Sequence, residues 1–241
     1  MLSFASDAGL NGSPTRLPML TRPMTARNNI VAGLGEFVGT FLFLFFAFAG
    51  TQIANTPAPT STDGRNTSLP NTSNLMFIAL VFGFSLMTNV WAFYRVTGGL
   101  FNPVVRHDPN PSSLVSPRPG KSYADMMLVK VTLALFLVGG LSAIRLIVVV
   151  IAQFLGGLAA AGVVSALFPG PMTVATTLGG GANIAQGLFI EMFLTAQLVF
   201  VIIMVAVEKH KSTFLGPVAI GIAFFLAELV GRLELNGRIR V

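Results

Sequence analysis

Long apolar runs, separated by polar or proline-rich segments, dominate the pattern of hydrophobic and polar positions along this chain. A helix that spans a bilayer needs about 20 predominantly apolar residues. Five runs approach or exceed this length, at residues 30–53, 75–94, 146–168, 184–207 and 215–231. A sixth run, residues 131–141, is about half as long, which predicts a re-entrant half-helix rather than a full span.

Composition and charge also indicate a membrane protein. Apolar residues make up 53% of the 241 positions and charged residues 10%, whereas a soluble domain carries about 25% charged residues. The chain has no cysteine, and its two histidines lie in polar stretches. We therefore expect no metal centre, no disulfide and no thiol chemistry. The net charge of +6 includes basic residues that lie beside the apolar runs, which is typical of the cytoplasmic loops of membrane proteins. No nucleic-acid partner is therefore expected.

The polar segments suggest how the chain is oriented. Residues 1–28 contain no apolar run near the start, which predicts a cytoplasmic N-terminal tail rather than a signal peptide. This orientation places the loop at residues 56–74 outside, where Asn66 and Asn71 begin glycosylation-type triplets. The tail at residues 232–241 fits less well, because it would lie outside and yet carries three arginines against one glutamate.

Two halves of the membrane domain resemble each other. Glu36 and Thr40 in the first span match Glu191 and Thr195 in the fourth, and each pair shares one helical face. In the span that follows each pair, a glycine (Gly83 or Gly221) stands in a similar apolar context. An odd number of spans separates the copies, so the halves have opposite orientation. Inverted repeats of this kind build pores and transporters with a site between the halves.

Glutamates inside a membrane are energetically costly and tend to be functional. We expect Glu36 and Glu191 to fix backbone amides or carbonyls of loops near the centre of the membrane. A proton-carrying role is the less favoured alternative.

An Asn-Pro pair follows the second span, in the sequence Gly98-Gly99-Leu-Phe-Asn102-Pro103. Asparagine is a preferred N-cap and proline is favoured at the first helical position. Such a start in mid-membrane would direct the positive end of a half-helix, and the asparagine amide, into the centre. That arrangement repels cations and protons, while the amide donates to a passing oxygen.

Together these pieces resemble the aquaporin, or major intrinsic protein, family, in particular its fungal water-channel type. The matching segments are residues 36–41, 82–85, 98–103, 152–157, 183–187 with Glu191, and 217–221. The likeness covers about residues 29–103 and 131–231. It implies a six-helix fold with two half-helices, a homotetramer in the lipid bilayer, and passive permeation of water without cofactor or catalysis.

The resemblance also implies roles for individual residues. Phe82 matches the aromatic residue that narrows the constriction of water-type members, and Glu228 stands where many members have histidine. Water is therefore favoured over glycerol and other small neutral solutes. The expected pore residues are Asn102, Pro103, Phe82 and Glu228, and the expected supporting residues are Glu36, Thr40, Glu191, Thr195, Gly98 and Gly99.

Two departures from the family pattern affect the expected domain organisation. Residues 104–130 are polar and proline-rich and interrupt the first signature, like a retained intron or a splice variant. Counting along the repeat places the second Asn-Pro-Ala at position 240, which is Arg240. We expect an all-α membrane domain at residues 29–231, with five full spans and one half-helix. The second half-helix and sixth span are expected to be absent, and residues 232–241 form a tail outside the family pattern.

Several functions remain open on the sequence alone. The leading hypothesis is a family channel in the plasma or vacuolar membrane, of which these 241 residues alone conduct little or nothing. The alternative is a non-conducting partner that associates with full-length relatives, with Gly35 and Gly39 as a close-packing face. A secondary transporter is less favoured. A hydrolase is weaker still, because Ser85 lacks the glycine that follows the serine of a nucleophile elbow.

Overall fold

A computed structural model describes residues 26–56, 72–101, 129–137, 141–170, 172, 174, 184–207 and 213–235. The regular structure of these residues is helical throughout. A π-helical turn, Ile203–Val207, continues the fifth α-helix, and a 3-10 turn, Thr213–Leu215, precedes the sixth. The α-helices are α1 Ala26–Asn55, α2 Thr72–Phe93, α3 Val129–Leu137, α4 Ala143–Leu167, α5 Ile184–Ile202 and α6 Gly216–Leu235.

The helices follow the apolar runs that the sequence contains. Among the described residues, α1, α2, α4 and α5 are long and apolar enough to cross a membrane, and α6 holds a shorter apolar segment, Gly216–Gly231. The nine residues of α3 rise about 14 Å at 1.5 Å per residue, which is half of a bilayer core. The prediction of an all-α membrane fold is confirmed.

Helix packing places α1 at the centre of the first half. It packs most extensively against α4 and also against α2, while α2 packs against α6 and α6 against α5. Small residues permit the closest approaches, as is usual between helices in lipid. At Gly156 of α4, a Cβ would lie 2.6 Å from the carbonyl oxygen of Phe37 in α1.

Apolar side chains divide between an inner core and an outer surface. Rings of Phe43, Phe82 and Phe224 meet in the core, and large apolar side chains such as Phe46 and Phe193 are exposed. In a soluble protein an exposed surface of this kind would aggregate, whereas in a bilayer it faces lipid tails. The distribution is therefore that of a membrane domain.

Candidate functional site

The side chain of Glu36 in α1 holds the loop that follows α2. Its Oε1 accepts a hydrogen bond from the backbone N–H of Leu100 (3.2 Å) and its Oε2 accepts one from the N–H of Phe101 (3.0 Å). The side-chain amide of Gln153 in α4 donates a third hydrogen bond to Oε2, at 2.7 Å. Glu36 is fully buried, so these donors replace the water that a carboxylate would otherwise require.

The backbone of this loop makes a turn that glycine favours. Gly98 has φ of 93° and Gly99 has φ of 65°, in the left-handed region where a side chain is disfavoured. The N–H of Gly99 donates to Thr97 Oγ1 at 3.2 Å, which closes the turn locally. Phe101 also has a positive φ, of 22°, although it is not a glycine.

Gly35 and Gly39 face this loop rather than another helix. A Cβ on Gly35 would collide with Cγ2 of Thr97, and a Cβ on Gly39 would fall inside the ring of Phe101. The two glycines lie on either side of Glu36 along α1, so one helical face supplies both the carboxylate and the space beside it. The interpretation of Gly35 and Gly39 as a surface for a second molecule is therefore not needed to explain them.

The other supporting residues lie in buried positions of α1 and α5. Thr40 is one turn beyond Glu36 and is fully buried, and Glu191 and Thr195 are buried in α5. The hydroxyls of Thr40 and Thr195 have no hydrogen-bond partner among the residues that the structure describes. The matched Glu and Thr of the two halves are thus buried in both helices.

Phe82 belongs to an aromatic cluster at the meeting of α1, α2 and α6. Its ring centroid lies 6.3 Å from that of Phe43 and 6.2 Å from that of Phe224. Phe43 and Phe224 complete the triangle at 5.8 Å. Glu228 is half-buried in α6, four residues after Phe224 and hence on the same helical face.

Two of the predicted pore residues, Asn102 and Pro103, lie outside the described residues, as does the segment at 104–128. Phe101, which directly precedes Asn102 in the sequence, is one of the two residues whose backbone amides donate to Glu36.

Sequence reasoning missed several residues that the structure brings to the site. Gln153 was part of a family segment but had no assigned role, and its only individual signal is a polar side chain within an apolar run. Phe101 looked like one more apolar residue. Ser85 and Asn89 are buried polar residues of α2: Ser85 Oγ donates to the carbonyl of Phe43 in α1 (2.7 Å), and Asn89 Nδ2 donates to the carbonyl of Ser85 (2.8 Å).

Comparison with known proteins agrees with this arrangement. The family model described as "MIP: Major intrinsic protein" matches residues 24–107 and 130–237. The chain belongs to the major intrinsic protein family. This confirms the resemblance carried by its motifs, and the apolar helices of the family domain make it an integral membrane protein.

Similar members of the family come from fungi. Probable aquaporin-5 of Gibberella zeae is 48% identical over 221 residues, which cover 90% of this chain and 36% of the relative. Aquaporin-7 of Botryotinia fuckeliana is 47% identical over 213 residues (88% of this chain, 41% of the relative). Aquaporin-5 of the same fungus is 48% identical over 213 residues (88% and 34%). The chain thus spans between 34% and 41% of the length of these relatives.

Proposed function

We propose that the protein is a passive water channel of a fungal membrane. The observation that carries this proposal is the buried carboxylate of Glu36, which accepts both amides of the turn directly before Asn102. A polar turn inside a membrane domain is tolerated where it lines a pore or is enclosed by protein. The similarity to fungal aquaporins supports water as the permeant molecule.

In this proposal, the turn brings the Asn102 amide to the middle of the pore. The amide donates to the oxygen of each passing water, and the N-terminus of the half-helix gives the centre a positive potential that disfavours cations and protons. Phe82 sets the width of the constriction, and Glu228 adds an acceptor at its wall. Glu191 and Thr195 serve the second half as Glu36 and Thr40 serve the first.

The size of the constriction can be tested at Phe82. The experiment uses vesicles that contain a full-length, conducting form of the protein. In these vesicles, Phe82→Ala is expected to increase glycerol uptake by about tenfold or more relative to water uptake. The control is Phe84→Ala, since Phe84 is 57% exposed on the lipid-facing side of the same helix. Equal solute selectivity in the two variants would show that Phe82 does not set the width.

Residues 104–130 are proposed to be a retained intron that interrupts the family domain, with a splice variant as the alternative. The two segments that match the family model are separated by residues 108–129, which contain four closely spaced prolines, Pro109, Pro111, Pro117 and Pro119. Sequencing of the transcript across codons 95–140 and beyond codon 231 tests this. Reads that join codon 103 to codon 131 support a retained intron, and reads that retain the segment contradict an intron and favour a splice variant.

The polypeptide of residues 1–241 expressed alone is expected to conduct little water. It contains no Asn-Pro pair after residue 131, and the family resemblance implies that two such pairs meet at the centre of the pore. Stopped-flow measurement of vesicle shrinkage provides the test. A rate several-fold above that of empty vesicles would contradict the expectation.

A second function is favoured by the exposure of α5. Only 22% of the span in α5 is buried, against 44% in α1, α2 and α4. A span with so much open surface can pack against another membrane protein, and a full-length relative is the proposed partner. Co-purification of the tagged 241-residue chain with an intact family member tests this, and separate elution in mild detergent would contradict it.

A further inference from the structure

We propose that Phe101 is a positioning residue, whose ring fixes the direction in which the chain leaves the turn toward Asn102. The proposal rests on the proposed channel function only for what this positioning achieves, which is to present Asn102 to the pore. Its physical content, a ring that locks the turn, concerns residues 97–101 and α1 and can be tested without any measurement of conduction.

The backbone of Phe101 gives the first reason. Its φ of 22° is unfavourable for a residue with a Cβ. The two glycines before it, Gly98 and Gly99, adopt positive φ without this cost. A third glycine would suit the backbone better than phenylalanine does. The phenylalanine ring must therefore contribute more through its contacts than the backbone conformation costs.

The contacts of the ring show what that contribution is. Phe101 is 2% exposed. Its ring occupies the space left by the missing side chain of Gly39, where a Cβ would lie 2.7 Å from Cδ1 and closer to two other ring atoms. On another side it meets Phe93, at the end of α2, edge to face with centroids 5.5 Å apart. The ring is thus wedged between α1 and the end of α2.

This wedge supplies a restraint that Glu36 cannot supply alone. The two hydrogen bonds to Glu36 come from adjacent backbone amides, of Leu100 and Phe101. The side chain of Thr97 also hydrogen-bonds to Glu36, so the carboxylate holds the turn through polar contacts at residues 97, 100 and 101. None of these contacts places the side chain of Phe101, whose ring the Gly39 notch holds against α1. Carboxylate and ring together fix the orientation of the turn.

Cysteine labelling can measure this restraint directly, because the chain has no native cysteine. Leu100→Cys introduces a reporter on the half-buried turn, and its reaction rate with maleimide reports how often the turn leaves its site. Phe101→Ala in this background is expected to accelerate labelling by at least about tenfold. Gly39→Ala is expected to do the same, because its Cβ takes the space of the ring.

A double-mutant cycle then isolates the contact between ring and notch. In the Phe101→Ala background the ring is already gone, so adding Gly39→Ala is expected to change labelling by less than about twofold. Gly162→Ala is the matched control, since a Cβ there meets nothing within 4 Å. Fully independent effects of Gly39→Ala and Phe101→Ala would overturn the proposal.

Phe101→Gly separates the role of the ring from relief of backbone strain. If strain were the main feature of this position, glycine would order the turn and slow the labelling. The proposal expects labelling at least as fast as with Phe101→Ala. A slower rate than in the parent protein would overturn it.

A second reporter shows whether the effect is local. Ala223→Cys lies in the buried core of α6, and its labelling is expected to stay unchanged in every variant. Equal acceleration at both reporters would mean general unfolding and would also overturn the proposal. If labelling follows this pattern but a full-length form without residues 104–130 conducts no water, the proposed function is contradicted and the positioning role of Phe101 remains.

Discussion

Gly83 in α2 and Gly221 in α6 contact each other reciprocally, since a Cβ on either glycine would lie 3.0 Å from the carbonyl oxygen of the other. A two-fold axis produces this pattern, because each partner then meets the equivalent group of the other. The same two glycines are the matched positions of the sequence repeat. We infer that the axis relating the two halves passes near this crossing.

Because α2 and α6 approach each other so closely at Gly83 and Gly221, we predict that neither glycine tolerates an added methyl group. In Gly83→Ala the new Cβ would lie 2.6 Å from Cβ of Phe225, and in Gly221→Ala it would lie 2.5 Å from Cβ of Met87. These neighbours are held by the backbone and cannot rotate away. Each variant is expected to lose about 1–3 kcal/mol of stability, the usual cost of overpacking. Thermal unfolding in detergent provides the measurement.

Gly162→Ala is the control for this pair. Gly162 lies in α4 with open space around it, so alanine there is expected to leave stability unchanged or to raise it by up to about 1 kcal/mol through helix propensity. Unfolding temperatures for Gly83→Ala equal to those of Gly162→Ala would show that α2 and α6 do not approach this closely.

The sequence predicted the helices well because their signal is local. Apolar runs of a given length determine where a chain can lie in a bilayer, and the glycine of each half could be matched within a short repeat. The short apolar run at residues 131–141 was recognised for the same reason, because its length falls below that of a full span. These features require only neighbouring residues.

The contacts of the candidate site could not be predicted in this way. Glu36 was singled out as a charge inside a span, but its partners lie 64, 65 and 117 positions further along the chain. Nothing near Gln153 marks it as a hydrogen-bond donor to that carboxylate. Gly35 and Gly39 have a spacing that fits helix pairing equally well, and only the fold shows that the loop occupies their notches.

The carboxylate of Glu36 is predicted to control the local stability of the turn. In Glu36→Gln, an NH₂ group replaces one acceptor oxygen and must face at least one of the donors at Leu100, Phe101 and Gln153. A buried donor left without an acceptor costs about 1–3 kcal/mol. The amides of residues 99–101 are therefore expected to exchange with deuterium about ten to a hundred times faster, as measured by mass spectrometry.

Gln153→Leu is the comparison for Glu36→Gln. It removes one hydrogen bond, of 2.7 Å, and leaves both backbone amides with their acceptors. Exchange at residues 99–101 is expected to increase less than in Glu36→Gln. Exchange in α6 should be the same in both variants. Faster exchange at residues 99–101 in Gln153→Leu than in Glu36→Gln would contradict the role given to the carboxylate.

Ser85 is predicted to make a small contribution to the contact of α2 with α1. Its Oγ donates to the carbonyl of Phe43 at 2.7 Å, and that carbonyl retains its helical partner when the hydroxyl is removed. Hydrogen bonds between membrane helices average about 0.6 kcal/mol. Ser85→Ala is expected to lower thermal stability by about that amount. A loss above about 2 kcal/mol would mean that the hydroxyl has a further structural role.

Ser142 is predicted to stabilise the start of α4 as an N-cap. Its backbone is extended (φ −84°, ψ 154°), and its Oγ accepts from the N–H of Arg145 at 3.4 Å. Replacing an N-cap serine by alanine costs about 0.5–2 kcal/mol, and the long hydrogen bond favours the lower part of this range. Ser142→Asp retains an acceptor and adds a negative charge near the positive helix end. Thermal unfolding is therefore expected to rank Ser142→Ala below the parent and Ser142→Asp at or above it, and equal stability of the two variants would show that the cap contributes nothing.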